Sequence, residues 1–149
     1  MNAPHHEITP KLVDALYTEA MVLADEARSY FDRDPLSGDF APTVSVAFSC
    51  ESLKVTTRLM HSIAWLLNQK ALRAGELSAD DISSDIRELG YAPASDDFQM
   101  GRFPEEAQEL IRASEDLYFR LQRISSSMRR LAPAAPVPHL LHERLMQAF

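Results

Sequence analysis

Glycine occurs only four times in 149 residues, and cysteine once. Tight turns that need a positive φ rely on glycine, so this scarcity leaves little material for β-hairpins. Val, Ile and Thr are scattered rather than gathered into short alternating runs, which removes the usual strand signal. An all-α fold is the expectation. Cys50 has no second cysteine to bridge, which suits a reducing cytosol, and it reads as a small core residue. Met1 to Pro10 lacks both the basic and the apolar stretch of a signal peptide. The longest apolar run, Ile63 to Leu67, is far below the roughly 20 residues that span a bilayer. A cytoplasmic protein without membrane segments is therefore expected.

Positive charge is also in short supply. The net charge is −7 and the pI near 5.2, whereas a duplex binder needs Lys and Arg to displace counterions from phosphates. The five arginines between Arg112 and Arg130 face only Glu115 and Asp116 locally, and they fit the C-terminal half of a helix, where the dipole favours cations. Hydrophobic residues at 46% and charged residues at 25% are ordinary for one globular domain.

What is present is helical periodicity. Thr9-Pro10 combines a capping hydroxyl with proline at the first helical position. From there Val13, Leu16, Ala20, Leu23, Ala27 and Tyr30 repeat at spacings of three and four, until Asp34-Pro35, Gly38 and Pro42 interrupt. A second helix is expected from Pro42-Thr43 to about Ala74, with Gly75 as its stop. It carries two apolar faces. Leu53, Thr57, Met60, Ala64, Leu67 and Ala71 form one stripe, left to face inward. Val55, Leu59, Ile63 and Leu66 lie well around the helix and are assigned to the interface of a symmetric homodimer. Ser78 and Asp81 suggest a capping box for a short helix, Ala79 to Leu89. Tyr91 to Phe103 reads as a loop long enough to be functional. Pro104-Glu105-Glu106 opens the last helix, on which Ala107, Leu110, Ser114, Leu117, Leu121, Ile124, Met128 and Leu131 hold one face. The expected architecture is an antiparallel, up-down-up three-helix bundle with one extra short helix. Residues 1–8 form a flexible N-terminus and 9–131 the bundle domain. Residues 132–149 form a proline-rich linker and a short amphipathic tail.

Chemistry-bearing patterns are few. No Glu-x-x-His pair marks a di-iron bundle, and His139 and His142 have no partner ligands nearby, so no metal is expected. Cys50 and His61 lie about three turns apart on one helix, too far to act together. No glycine-rich phosphate loop occurs. No catalytic residue and no cofactor is predicted. Off-stripe aromatics suggest recognition instead. Trp65 falls in a polar strip of helix two with Arg58, and Phe119 lies opposite the stripe of the last helix. Arg58, Trp65 and Phe119 are candidate partner-binding residues, since Arg and Trp are favoured at binding hot spots. Leu141, Leu145 and Phe149, at spacings of four in the tail, are candidates for docking in a partner's groove.

Glu51-Ser52-Leu53-Lys54-Val55-Thr56-Thr57-Arg58-Leu59-Met60, followed by Ala64-Trp65-Leu66-Leu67, resembles the signature of the regulator of CtrA degradation (RcdA) family of alphaproteobacteria. Arg73-Ala74-Gly75-Glu76-Leu77-Ser78, Phe103-Pro104-Glu105, Leu110-Ile111, Leu117-Tyr118 and Arg120 extend the resemblance over most of residues 12 to 131. It implies a homodimeric helical adaptor that cuts nothing itself. Such an adaptor helps the ATP-dependent ClpXP protease receive cell-cycle regulators. The implied partners are the protease unfoldase, a response-regulator-like adaptor, a cyclic di-GMP-binding effector and substrate transcription regulators, with no nucleic acid and no membrane. The runner-up from the residues is a small DNA- or regulator-associated transcriptional protein using the arginines around Arg120 to Arg130. A ligand-binding bundle is a third option.

Overall fold

In the computed structural model, which describes residues 9–36, 38, 40–77, 88–131 and 147, Thr9 starts the first helix. Its Oγ1 accepts a hydrogen bond from the Leu12 amide at 3.2 Å, occupying one of the amides that a helix start leaves unpaired. Helix α1 runs Pro10–Asp32 and buries Val13, Leu16, Ala20, Leu23, Ala27 and Tyr30, the six residues of the expected stripe. Helix α2 spans Pro42–Arg73. Gly75 closes it at φ 78°, donating to Leu72 O while Glu76 N donates to Ala71 O. That bond pair is a Schellman motif, and its left-handed residue is one where a Cβ would be strained. Helix α3 spans Glu105–Leu131 with Glu105 and Glu106 in its first turn.

Side-chain contacts fix the directions. Arg73, at the end of α2, reaches Asp14 and the Pro10 carbonyl at the start of α1, so α1 and α2 are antiparallel. Arg33 pairs with Glu106 at 3.6 Å and Arg120 with Glu19, so α1 and α3 are antiparallel too. Phe48 meets Phe103 edge-on at 5.4 Å and Arg58 reaches Ser114, so α2 and α3 run the same way. The all-α three-helix bundle is as expected, but the strict up-down-up alternation is not. The physical reason is the connection. About thirty residues separate α2 from α3, enough chain to return to the starting end before the last helix begins.

The returning segment, residues 88–103, lies along the groove between α2 and α3. Arg129 holds Glu88 at 2.9 Å, Tyr118 holds Gly90 and Ala92, Arg58 holds Pro93 and Ser95, and Glu51 holds Asp96. It ends in a 3-10 turn, Met100–Arg102, with Met100 and Phe103 in the core. This strap explains why Ile111 and Tyr118, beside the α3 stripe, are buried as well.

Helix α2 is where the expected facing is inverted. Val55, Leu59 and Leu66, assigned to a partner, are buried in the core of the single chain, and Ile63 packs against that core. Leu53, Met60 and Leu67, read as inward, stand exposed. Cys50 is exposed as well, not a core residue. The core face is interrupted by Glu51, Arg58 and Ser62, polar residues that make it resemble a surface. The expected short helix over 79–89 lies outside the described residues except for 88 and 89. The tail candidates Leu141, Leu145 and Phe149 lie outside them too. No helix among the described residues is long and apolar enough to cross a membrane.

Candidate functional site: a clamped strap with exposed aromatics

An extended strap has no internal hydrogen-bond ladder, so its buried amides and carbonyls need partners from the helices it covers. The polar strip of α2 supplies them. Arg58 is 1% exposed; its guanidinium donates to Ser114 Oγ at 3.1 Å, Pro93 O at 3.0 Å and Ser95 Oγ at 2.7 Å. Glu115 stands 4.0 Å away and accepts from the Ser95 amide at 3.3 Å. Burial pulls the Arg58 pKa below its ordinary value, while the negative charges of Glu115 and Glu51 oppose that pull. The group stays a cation, and its fork spans three acceptors at once.

Two further clamps flank it. Seven residues earlier on α2, Glu51 is buried; its Oε1 accepts from the Asp96 amide at 2.9 Å and from Lys54 Nζ at 3.2 Å. On α3, the Tyr118 hydroxyl accepts from the Ala92 amide at 3.0 Å and donates to Gly90 O at 2.7 Å. At Gly90 a Cβ would come 2.7 Å from the His61 ring, so the absence of a side chain lets the strap approach α2 there.

The clamps hold the strap's backbone and leave its outer face in solvent. Tyr91 is 80% exposed and Phe98 83%, with Asp96 and Asp97 between them. Phe98 is positioned by its amide, which donates to Asp96 Oδ1 at 3.0 Å. A large aromatic held in water on an anchored backbone loses little freedom on binding, and that favours recognition.

The sequence candidates are redistributed accordingly. Arg58 and Trp65, 1% and 2% exposed, are interior residues and cannot form a surface patch. The strap covers Arg58, which periodicity of α2 alone does not reveal, and Trp65 belongs to the core cluster. Phe119 does stand exposed, edge-on to Tyr118 at 6.0 Å. Tyr91 and Phe98 were missed as individuals, although the length of their loop signalled function. Among the described residues, no group of three or more His, Cys, Asp or Glu could hold a metal ion.

The profile of the family described as "Protein of unknown function (DUF1465)" matches residues 5–149. The chain belongs to this family. The crystal structure of RcdA from Caulobacter crescentus is similar to it with a TM-score of 0.63 and 26% sequence identity, over 83% of this chain and 95% of that one. The chain is thus RcdA-like in fold and in sequence, as its signature in α2 suggested. No curated protein matches it. The quoted signature contains both Glu51 and Arg58, the two α2 residues that clamp the strap.

Proposed function

We propose that this RcdA-like chain is a non-catalytic, cytoplasmic adaptor in regulated proteolysis. It binds cell-cycle regulators and other adaptors and promotes their delivery to the ATP-dependent ClpXP protease. Residues 9–131 form the working domain, and the chain acts as a homodimer. The observation that supports the reading is the match to RcdA over 83% of this chain and 95% of that one. The strap supports it physically, because a rigid ledge bearing two exposed aromatics is built for contact with protein. The partners proposed for it are the unfoldase, a response-regulator-like adaptor, a cyclic di-GMP-binding effector and substrate transcription regulators. Phe98 and Tyr91 join Phe119 as the surface on which they would dock, and the tail residues Leu141, Leu145 and Phe149 are a second docking element.

The transcriptional alternative draws less support. Arg120 is already engaged by Glu19 and Asp116, and Arg129 by Glu88, which leaves less free charge for phosphates. Anisotropy titrations with a labelled CtrA-type regulator and with labelled duplex DNA separate the two. The adaptor reading expects saturable protein binding and no DNA binding. DNA binding whose affinity falls steeply with salt, without protein binding, would replace it with the transcriptional reading.

A further inference from the structure

The outer face of α2 carries an apolar seam that no described part of the chain covers. Val46, Leu53, Met60 and Leu67 stand 64%, 67%, 63% and 45% exposed, seven residues apart in each case. Between and after them, at spacings of four and then three, come Cys50, Thr57, Ala64 and Ala71. The result is an unbroken two-position heptad seam about 37 Å long, the pattern that in water calls for a second helix.

Residue size says which helix. One heptad position is large throughout and the other is small throughout. In a parallel pair, each layer sets a position against itself, so large would meet large and small would meet small, and the layers of Cys50, Thr57, Ala64 and Ala71 would be left hollow. In an antiparallel pair about a two-fold axis between positions 58 and 59, every layer sets large against small. Val46 of one copy then meets Ala71 of the other, Cys50 meets Leu67, Leu53 meets Ala64, and Thr57 meets Met60. The seam is complementary to itself, which is what a closed two-fold interface requires.

Its polar neighbours are already satisfied within the chain. The Thr57 hydroxyl donates to Leu53 O at 2.9 Å, and Thr56 and Ser52 donate to backbone carbonyls in the same way. Lys54 is paired with Glu51, and Lys70 with Asp14 while lying over the Tyr17 ring. A second copy could cover the seam without stranding a hydroxyl or an unpaired charge.

We infer that the exposed face of α2 is the homodimer interface and that two copies pair there antiparallel, with large residues against small in each layer. The inference rests on the self-association proposed above, and it moves the interface from Val55, Leu59 and Leu66 to the opposite face of the helix.

Cys50 makes the orientation testable. In the antiparallel pair the two native thiols lie about 25 Å apart along the seam, whereas a parallel pair brings them together. A short bis-maleimide should therefore leave the native dimer uncross-linked and cross-link L67C into a covalent dimer. Leu53→Asp, at a residue exposed in the single chain, should weaken the dimer at least about a hundredfold without lowering helicity. Cross-linking of the native chain through Cys50 would overturn the antiparallel pairing. Light scattering that shows only monomer at micromolar concentration would overturn the interface. So would a monomer whose Cys50 reacts with maleimide only after residues 133–149 are removed, because the tail would then be the occupant. A monomeric L53D variant that still supports substrate degradation leaves the adaptor reading intact. Loss of degradation by a native dimer strikes that reading and not the seam.

Discussion

Replacing Arg58 by methionine keeps most of the buried stem and removes the guanidinium. Three hydrogen bonds disappear, to Ser114 Oγ, Pro93 O and Ser95 Oγ, together with the ion pair to Glu115. Ser114 still donates to Ile111 O at 2.8 Å, so its loss is partial. Pro93 and Ser95 are half-buried and recover some hydration. Hydrogen bonds to charged groups contribute about 1.5–3 kcal/mol each. Against that, removing a cation whose pKa burial has lowered relieves some desolvation. The balance is a destabilisation of about 3 kcal/mol, near the lower end for a broken buried ion pair. For a domain of this size that corresponds to a fall in Tm of roughly 10 °C. Arg58 is charged in both folded and unfolded chains at any pH well below its pKa, so the loss should not vary between pH 5 and 8. Chemical denaturation gives the global figure, and amide exchange at Ala92, Ser95 and Asp96 shows whether the strap loosens first. A Tm within about 2 °C of the native value, with those amides still protected, would refute the claim that Arg58 clamps the strap.

Tyr118→Phe strands the buried Ala92 amide and should cost about 2 kcal/mol in denaturant titration. The Asp14 carboxyl is held below its ordinary value of 3.8 by the Arg73 hydrogen bond, against a smaller opposing effect of burial and with the charges of Arg73 and Lys70 assisting. A depressed carboxyl stabilises above its unfolded pKa and loses that contribution as pH falls through the folded value. The first turn of α1 should therefore exchange its amides faster only below about pH 4, and Asp14→Asn should remove that step. Truncation after Ala132 should abolish substrate delivery with an unchanged Tm if the tail docks on a partner. A large fall in Tm with delivery intact would make the tail a seal on the bundle.

The fold was legible where one face of a helix is apolar and the other polar. Helix α1 buries the six residues its spacing indicates, and on α3 Ala107, Leu110, Ser114, Leu117 and Leu121 behave the same way. Helix α2 was legible as a helix but not in its facing. Its seam of Leu53, Met60 and Leu67 is the cleaner apolar stripe, whereas its core face contains Glu51, Arg58 and Ser62. Periodicity ranks faces by apolarity, and it cannot register that a strap from far along the chain will supply partners for buried polar groups. The same blindness hid the parallel course of α2 and α3, which depends on the path of the connection. At the site, spacing puts Arg58 with Trp65 in a binding patch although Arg58 holds the strap, and it gives the aromatics the strap displays only as part of a loop. The likeness in the signature identified the right segment without revealing that Glu51 and Arg58 face inward.

The adaptor reading meets its most direct test in a reconstituted degradation reaction. Purified unfoldase and protease, ATP, the response-regulator-like adaptor and a CtrA-type substrate are combined with and without this chain, and with Phe98→Ala in its place. The side chain of Phe98 is 83% exposed, so that variant should keep the native Tm within about 2 °C, a surface-type effect. Substrate should disappear several-fold faster with the native chain than without it, and Phe98→Ala should remove most of that gain. An unchanged rate in the presence of the folded native chain, across candidate substrates, would contradict the account.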